Sequence, residues 1–153
     1  MGNLPEPGAV LLDRLAAAAT GHNLGALVGC FAPEYRNETP AHPAQGFTGR
    51  DQVRRNWEQI FAVMPDITAR VLRSACDGDV AWSEWHMAGT RPDGTAMQMA
   101  GVVIFGVRGG RFSWARWYLE PVQAGGPDVN QALRQRVRAG AGPVPGAAPV
   151  AER

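Results

Sequence analysis

Tyr35 and Asn37 stand two residues apart in the short extended segment EYRNETP. On a β-strand, residues two apart project from the same face. A phenol and a carboxamide that are buried in apolar surroundings each need a hydrogen-bond partner, which a ligand, an ordered water or a neighbouring side chain can supply. The pair is therefore a candidate for the polar end of a binding or catalytic site.

Glu84 and His86 form a second pair with the same spacing, in the run AWSEWHM. Inside an apolar cavity, a carboxylate and an imidazole would have shifted proton affinities and could act as an acid–base pair. Strand alternation places both beside Trp82 on the outer face, and a one-residue bulge would turn them inward. Facing outward, Glu84 is expected to pair with Arg116 or to lie in a dimer interface.

Large apolar side chains recur at positions that share an inward orientation. Three of the five methionines fall on two neighbouring strand-like segments, and flexible thioethers suit a cavity that receives planar or irregular guests. The alternative is that these side chains fill the interior as ordinary core. The predicted ligand-binding set is Trp57, Ile60, Met64, Trp85, Met87, Met97, Met99 and Trp117.

The residue types and their spacing do not indicate a disulfide, a metal site or a phosphate-binding loop. Cys30 and Cys76 show no CxxC spacing, so neither a disulfide framework nor a zinc site is expected. The three histidines lack the close spacing of metal ligands. The glycine-rich GVRGG belongs to a hairpin turn rather than to a phosphate-binding loop. We expect no metal and no cofactor.

The elements that position these residues come as helices first and strands afterwards. Helical spacing predicts one helix over AVLLDRLAAAATG that ends at Gly21, and a weaker one over NLGALVGCFAP that ends at Pro33. A brief strand and a proline-rich loop follow. The best-defined helix is TGRDQVRRNWEQIFAVMPD, opened by Thr48 and Asp51 and ended by Pro65.

From Ile67 onward the hydrophobic period changes to two. ITARVLRSA, DVAWSEWHMAGT, TAMQMAGVVIFGV and RFSWARWYLEP are strand-like, and RPDGT and RGGR have the composition of hairpin turns. These patterns predict an α+β domain with helices against one face of an antiparallel meander. In ARWYLEPV, alternation places Ala115, Trp117 and Leu119 on one face and Trp114, Arg116, Tyr118 and Glu120 on the other.

Length and charge bound the remaining possibilities. The 153 residues predict one domain over residues 1–123, a helical extension over 124–138 that starts at Asp128, and a disordered tail over 139–153. A net charge of +1 is far from the basic balance of nucleic-acid-binding proteins. With no apolar window long enough for a membrane span and no signal-peptide pattern, we expect a cytoplasmic protein.

One order of motifs runs from about Leu11 to Val122. It consists of two short helices, YRN on a first strand, FTGRDQVRRNWEQIFAVMPD, AGTRPDGT, GVVIFGVRGGRF and ARWYLEPV. This order resembles the SnoaL-like branch of the nuclear transport factor 2-like superfamily. The resemblance implies a cone in which a curved antiparallel sheet wraps the helices around an apolar pocket, and a homodimer formed through the sheet. Members include polyketide cyclases, ketosteroid isomerases, limonene-type epoxide hydrolases and pocket proteins without known reaction, so the fold alone does not choose a function.

The resemblance transfers only some functional residues. Epoxide hydrolases of this fold hold a water with a tyrosine and an asparagine two apart on the first strand, which Tyr35 and Asn37 match. Their Arg-x-Asp pair and their water-activating aspartate are replaced by Trp85, Met87 and Trp117, which cannot perform those proton transfers. The general base of the cyclases also falls on Trp117. The two acidic groups of a ketosteroid isomerase have no clear counterpart.

Three hypotheses remain. The chain is an enzyme of secondary metabolism (a cyclase, isomerase or hydrolase) that uses Tyr35 and Asn37 with Glu84 or His86, or a protein that binds a small apolar or aromatic molecule without turnover, or a dimeric module with a filled cone. The ligand-pocket hypothesis is preferred, with catalysis open. An outer apolar patch further predicts a homodimer through the sheet, and its members are Trp82, Trp114 and Tyr118.

Overall fold

The computed structural model describes residues 4–139, which divide into two units, 4–122 and 123–139. The helices of the first unit are α1 (Pro7–Thr20), α2 (Leu24–Gly29) and α3 (Arg50–Val63). Its strands are β1 (Phe31–Glu38), β2 (Phe47–Thr48), β3 (Thr68–Asp77), β4 (Val80–Thr90), β5 (Ala96–Arg108) and β6 (Arg111–Pro121). A 3-10 turn, Pro43–Gln45, precedes β2.

The predicted first and third helices are confirmed. α1 opens with Pro7, whose ring presets the helical φ, and it ends before Gly21 as predicted. α3 carries Asp51 in its first turn, where a carboxylate is favourable near the positive helix end, and stops before Pro65. α1 lies against β3, β4 and β5, whereas α3 lies against β1. Helices therefore cover one face of the sheet.

The predicted end of the second helix is wrong. α2 stops at Gly29, and the chain enters β1 at Phe31, so that Pro33 is a strand residue. Pro33 is tolerated because the pairing of β1 with its neighbour is irregular between Phe31 and Arg36, where a missing N–H breaks no ladder bond. This early start of β1 sets the positions of Tyr35 and Asn37.

The six strands form one curved sheet in the order β2-β1-β6-β5-β4-β3. The meander from β3 to β6 is antiparallel throughout, which confirms the α+β class. The pairing of β1 with β6 is parallel, a feature that the hydrophobic pattern did not reveal. It places the N-terminal strand beside the C-terminal strand of the sheet.

Gly101 lies in the middle of β5 where the backbone of β6 comes very close. Its φ is +154°, and a Cβ added there would overlap the carbonyl oxygen of Tyr118 on β6. Only glycine permits two strand backbones to approach so closely. The close pairing of β5 with β6 therefore depends on a residue without a side chain at this point.

The inner face of the sheet and the helices enclose the core. Along β4, Ser83, Trp85 and Met87 are buried, while Trp82 is exposed, so the predicted alternation holds. From Val80↔Gly106 to Thr90↔Ala96, β4 and β5 pair residue by residue without a bulge. Glu84 and His86 accordingly share the outer face with Trp82.

The second unit contains α4 (Val129–Ala139). Its start is fixed by a reciprocal cap, in which the backbone N–H of Gln131 donates to the Asp128 carboxylate and the backbone N–H of Asp128 donates to the side-chain oxygen Oε1 of Gln131. The predicted tail, apart from Ala139, lies outside the described residues. Among residues 4–139, no helix is both long and apolar enough to cross a membrane.

Candidate ligand-binding cavity

A cavity of about 650 Å³ opens between α3 and the inner face of the sheet. This volume falls within the range of about 300–1,000 Å³ that is typical of small-molecule sites. A cone filled by its own core would leave no such space. The residues of the predicted sites that line the cavity are Tyr35, Asn37, Trp57, Ile60, Met64, Met87, Met97, Met99 and Trp117.

The deepest polar groups come from β1 and β6. The parallel register sets Asn37 opposite Ala115, so Trp117 follows two residues later on the same inner face. The indole Nε1 of Trp117 donates to the Tyr35 hydroxyl at 3.1 Å, and that hydroxyl donates to Asn37 Oδ1 at 2.8 Å. Trp117, which is 82 positions from Tyr35, thus joins Tyr35 and Asn37 in one hydrogen-bonded row.

Tyr35 is neutral in this row. Its side chain is 0% exposed, and burial raises its pKa far above the ordinary value of a tyrosine, while the hydrogen bond from Trp117 offsets only part of the rise. A phenol that keeps its proton can donate a hydrogen bond but cannot serve as a base near neutral pH.

Asn37 forms the end of the row. It is 8% exposed and borders the cavity, and among the described residues its amide nitrogen Nδ2 donates to no protein group. No fully buried side-chain nitrogen or oxygen in this part of the chain lacks a partner. The amide nitrogen of Asn37 is therefore not fully buried, and the open space that Asn37 borders is the cavity.

A second polar row, which the sequence analysis missed, lies on α3. Arg55 donates to Gln52 Oε1 at 2.8 Å through Nη2, and Gln52 Nε2 donates to Asn56 Oδ1 at 2.8 Å. Gln52 and Asn56 both line the cavity. Their spacing of four, next to the apolar Val53 and Trp57, was the available signal, since residues four apart on a helix share a face. Other lining residues that were missed are Phe31, Thr39, Gln45, Phe47, Val53, Ile67 and Leu119.

The apolar wall consists of aromatic, thioether and aliphatic side chains. Every residue of the predicted ligand-binding set except Trp85 borders the cavity, and their binding of a ligand stays a prediction. Trp85 faces inward but does not border the cavity. Its indole nitrogen donates to the Ser83 hydroxyl at 2.8 Å, and that hydroxyl donates to the Val103 carbonyl oxygen at 2.7 Å. These bonds hold Trp85 in the core beside the cavity.

Glu84 and His86 are not brought together with Tyr35 and Asn37. Glu84 binds Arg73 on β3, with 2.9 Å between Arg73 Nε and Glu84 Oε2, and His86 lies 3.4 Å from Gln98 Oε1. The expected pairing of Glu84 with Arg116 is wrong, because β5 separates their strands. Arg116 instead binds Glu38 across the parallel β1–β6 pair.

The cavity is uncharged. Among the described residues, the polar side chains that line it are amides, one threonine and the neutral Tyr35, with no carboxylate, imidazole, ammonium or guanidinium group. Within residues 4–139, no three His, Cys, Asp or Glu side chains form a group that could hold a metal ion. The arrangement can bind and orient a small molecule, but it supplies no side chain that exchanges a proton near neutral pH.

Comparison with known proteins places this geometry in a family. The family model described as the SnoaL-like domain matches residues 12–115. Among curated proteins, no sequence matches the chain significantly.

Several solved structures share the fold. IdmH, a proposed polyketide cyclase from Streptomyces antibioticus, is 20% identical with a TM-score of 0.64, covering 86% of this chain and 99% of its own. A protein with a ketosteroid isomerase-like fold from Catenulispora acidiphila, solved with trimethylamine, is 21% identical with a TM-score of 0.59. The match covers 84% of this chain and 93% of that protein. A computationally designed 17-OHP binder is 14% identical with a TM-score of 0.64, and the match covers 77% of this chain and 100% of the designed protein.

The family model spans most of the chain, and the structural relatives have the same curved sheet around helices. These likenesses agree with the order of helices, strands and cavity described above. The chain belongs to the SnoaL-like domain family, within the nuclear transport factor 2-like superfamily.

Proposed function

We propose that this protein binds a small, uncharged, largely apolar or aromatic molecule in the cavity and does not transform it by side-chain acid–base chemistry. The observation that carries the proposal is the composition of the cavity wall, in which aromatic and thioether groups surround a few neutral hydrogen-bonding groups. Apolar surface removed from water supplies affinity, and the polar groups supply orientation.

A charged ligand is a poor match for this wall. A charge moved from water into an apolar site needs a partner of opposite sign, and the lining offers none among the described residues. Proton abstraction needs a base within hydrogen-bond reach, and the two acid–base candidates, Glu84 and His86, lie on the other face of the sheet. The placement of these groups favours binding over turnover.

The structural relatives are consistent with a ring-containing ligand. IdmH is a proposed polyketide cyclase and the designed protein is a 17-OHP binder, so the fold accommodates cavities of this general kind. We extend the proposal to an aromatic or polyketide-like molecule of secondary metabolism. The cavity volume and the aromatic side chains Trp57 and Trp117 support this class.

A homodimer through the outer face of the sheet is part of the proposal. Trp82 is 49% exposed and Tyr118 is 39% exposed, and β5 places the half-exposed Val102 opposite Tyr118. Contiguous exposed apolar side chains usually mark an interface. Salt bridges at Arg73–Glu84 and Arg116–Glu38 lie on the same face and provide a polar surround.

The binding proposal is tested with two dyes that differ by one charge. N-phenyl-1-naphthylamine is neutral, and 8-anilinonaphthalene-1-sulfonate adds a sulfonate to the same skeleton. We expect the neutral dye to bind with enhanced emission, and the anion to bind at least about tenfold more weakly, because each 1.4 kcal/mol of unpaired-charge cost is a factor of ten. Equal or tighter binding of the anion would contradict an uncharged site.

The site of dye binding is located with matched variants of β5. Met99→Trp fills part of the cavity from the inner face and should abolish dye binding. Gln98→Trp makes an equally large change at the next residue, which is exposed on the outer face, and should leave the affinity unchanged. A dye affinity that responds to Gln98→Trp and not to Met99→Trp would place the bound molecule elsewhere.

A further inference from the structure

Each polar row of the cavity begins with a group that can only donate hydrogen bonds. The indole nitrogen of Trp117 has a hydrogen and no lone pair to accept with, and the guanidinium of Arg55 has donors only. Trp117 donates to Tyr35, and Arg55 donates to Gln52. The middle side chain of each row then donates to the amide oxygen of an asparagine, Tyr35 to Asn37 and Gln52 to Asn56.

The direction of the first row determines the orientation of the Asn37 amide. Because the Tyr35 oxygen already accepts from Trp117, its own hydrogen is free to go to Asn37, where it needs an acceptor. The acceptor is Oδ1, at 2.8 Å. The Nδ2 group of Asn37 is then turned toward the cavity with both hydrogens available, since among the described residues it donates to no protein atom.

The second row ends in the same way. Arg55 Nε and Nη2 both approach Gln52 Oε1, at 3.3 Å and 2.8 Å, so the carbonyl end of the Gln52 amide faces Arg55. Its amino end donates to Asn56 Oδ1 at 2.8 Å. The Nδ2 group of Asn56, which also lines the cavity, is left as the terminal donor of this row.

We infer that the polar part of the cavity is a hydrogen-bond-donor site, formed by the amide groups of Asn37 and Asn56, that selects neutral ligands carrying acceptor oxygens such as ketone, quinone, lactone or ether groups. This inference rests on the proposed function and adds the chemical class of the ligand. A ligand whose polar groups only donate gains no hydrogen bond from the amide nitrogens of Asn37 and Asn56.

The selectivity arises from the cost of leaving buried donors unpaired. When an apolar ligand displaces water from the cavity, the Asn37 amide loses its hydrogen-bond partners and nothing replaces them. A ligand of the same shape with a carbonyl oxygen replaces the lost bond. Trp117 is a positioning residue in this scheme, because it acts through Tyr35 and Asn37 rather than through its own contact with the ligand oxygen.

The test compares 9-fluorenone with fluorene, two neutral planar molecules that differ by a carbonyl in place of a methylene. Both are measured by displacement of N-phenyl-1-naphthylamine. We expect the wild type to bind fluorenone about tenfold more tightly than fluorene. Asn37→Leu should remove most of this preference, Asn56→Leu a smaller part, and the double variant all of it. Gln59→Leu, an exposed amide on the same helix as Asn56, is the control and should keep the preference.

Trp117→Phe tests the direction of the first row. The aromatic bulk stays while the indole donor is lost, so the fluorenone preference should fall about threefold with fluorene affinity nearly unchanged. A role in packing alone would weaken both ligands equally.

The outcomes separate the two proposals. If the dye itself does not bind to the wild type, the binding function and the donor site are both wrong. If the dye binds and fluorenone does not displace it, the donor site is wrong. If both bind equally well in the wild type, the cavity binds small molecules and the donor site is wrong. A preference that survives in the double variant Asn37→Leu/Asn56→Leu also overturns the donor site, because its proposed donors are then gone.

Discussion

Tyr35 acts in this protein as a fixed, neutral link between two other side chains. Its ring packs against two others, with ring centroids 4.7 Å apart for Phe31 and 6.1 Å apart for Phe47. Its hydroxyl accepts a hydrogen bond from Trp117 and donates one to Asn37. A group in this position cannot lose its proton without leaving a buried charge. Its ionisation is therefore coupled to unfolding.

This coupling predicts a specific alkaline behaviour. The pKa of Tyr35 in the folded protein is raised above its ordinary value of 10.0, so its stabilising contribution is complete below about pH 10 and is lost as the pH rises further. Tyr118→Phe leaves Tyr35 as the only tyrosine. In that variant, we expect tyrosinate absorbance to appear only together with loss of the folded circular-dichroism signal. Ionisation near pH 10 in the still-folded protein would contradict the burial of Tyr35.

Trp117 contributes a wall of the cavity as well as a hydrogen bond. Trp117→Ala should enlarge the cavity, weaken the binding of neutral dyes generally and lower the free energy of unfolding by about 2 kcal/mol, as measured in urea. The control is Trp82→Ala on the outer face, which should leave dye affinity unchanged. Unaltered dye binding in Trp117→Ala would remove β6 from the cavity wall.

The candidate site could be predicted from the sequence only where strand alternation decides orientation. Alternation predicted a shared inner face for Tyr35 and Asn37, and both line the cavity, although their role in binding stays a prediction. Gln52 and Asn56 were missed because an amide beside an apolar helix stripe has the same pattern whether it borders solvent or a cavity. The predicted pairing of Glu84 with Arg116 was wrong, because alternation gives the face on which a residue lies and not its neighbour on the next strand.

At the scale of elements, β5 requires glycine at position 101, where the backbone of β6 leaves no room for a side chain. Gly101→Ala should lower the free energy of unfolding by about 3 kcal/mol, because the new Cβ would overlap the backbone of Tyr118 at a φ that side chains rarely adopt. Gly29→Ala is the matched control: its Cβ would have no atom within 4 Å, and the change should stay within about 0.5 kcal/mol. Equal urea midpoints of unfolding for the two variants would show that β5 tolerates a side chain at position 101.

Elements whose signals are local were predictable, and those set by tertiary pairing were not. α1, α3 and the meander from β3 to β6 follow from periodicity, caps and turn residues that are close together in the chain. The two-residue β2 and the parallel pairing of β1 with β6 depend on contacts between distant segments. The end of α2 was misplaced for the same reason, since Phe31 has an apolar spacing that suits a helix as well as a buried strand.

For the molecule as a whole, the outer face of the sheet predicts the assembly state. Sedimentation equilibrium at micromolar concentration should give twice the chain mass of 16.4 kDa. Trp82→Glu combined with Tyr118→Glu should yield the monomer, because charges replace the centre of the apolar patch. Val63→Glu changes an apolar residue that is also 49% exposed, but on α3, and should leave the dimer intact. A wild type that sediments only as a monomer would contradict the interface.

The parallel pairing of β1 with β6 also constrains the order in which a newly made chain can fold. Trp117 and Tyr35, which that pairing brings together, are separated by 82 positions, so β1 leaves the ribosome long before its partner exists. Until β6 has been synthesised, Phe31 and Tyr35 are not covered by it, and the edge of β1 that pairs with β6 remains unpaired. Contacts at such separation form slowly. Completion of the sheet and assembly of the Trp117–Tyr35–Asn37 row are thus one late event, and a chain released before β6 emerges has neither.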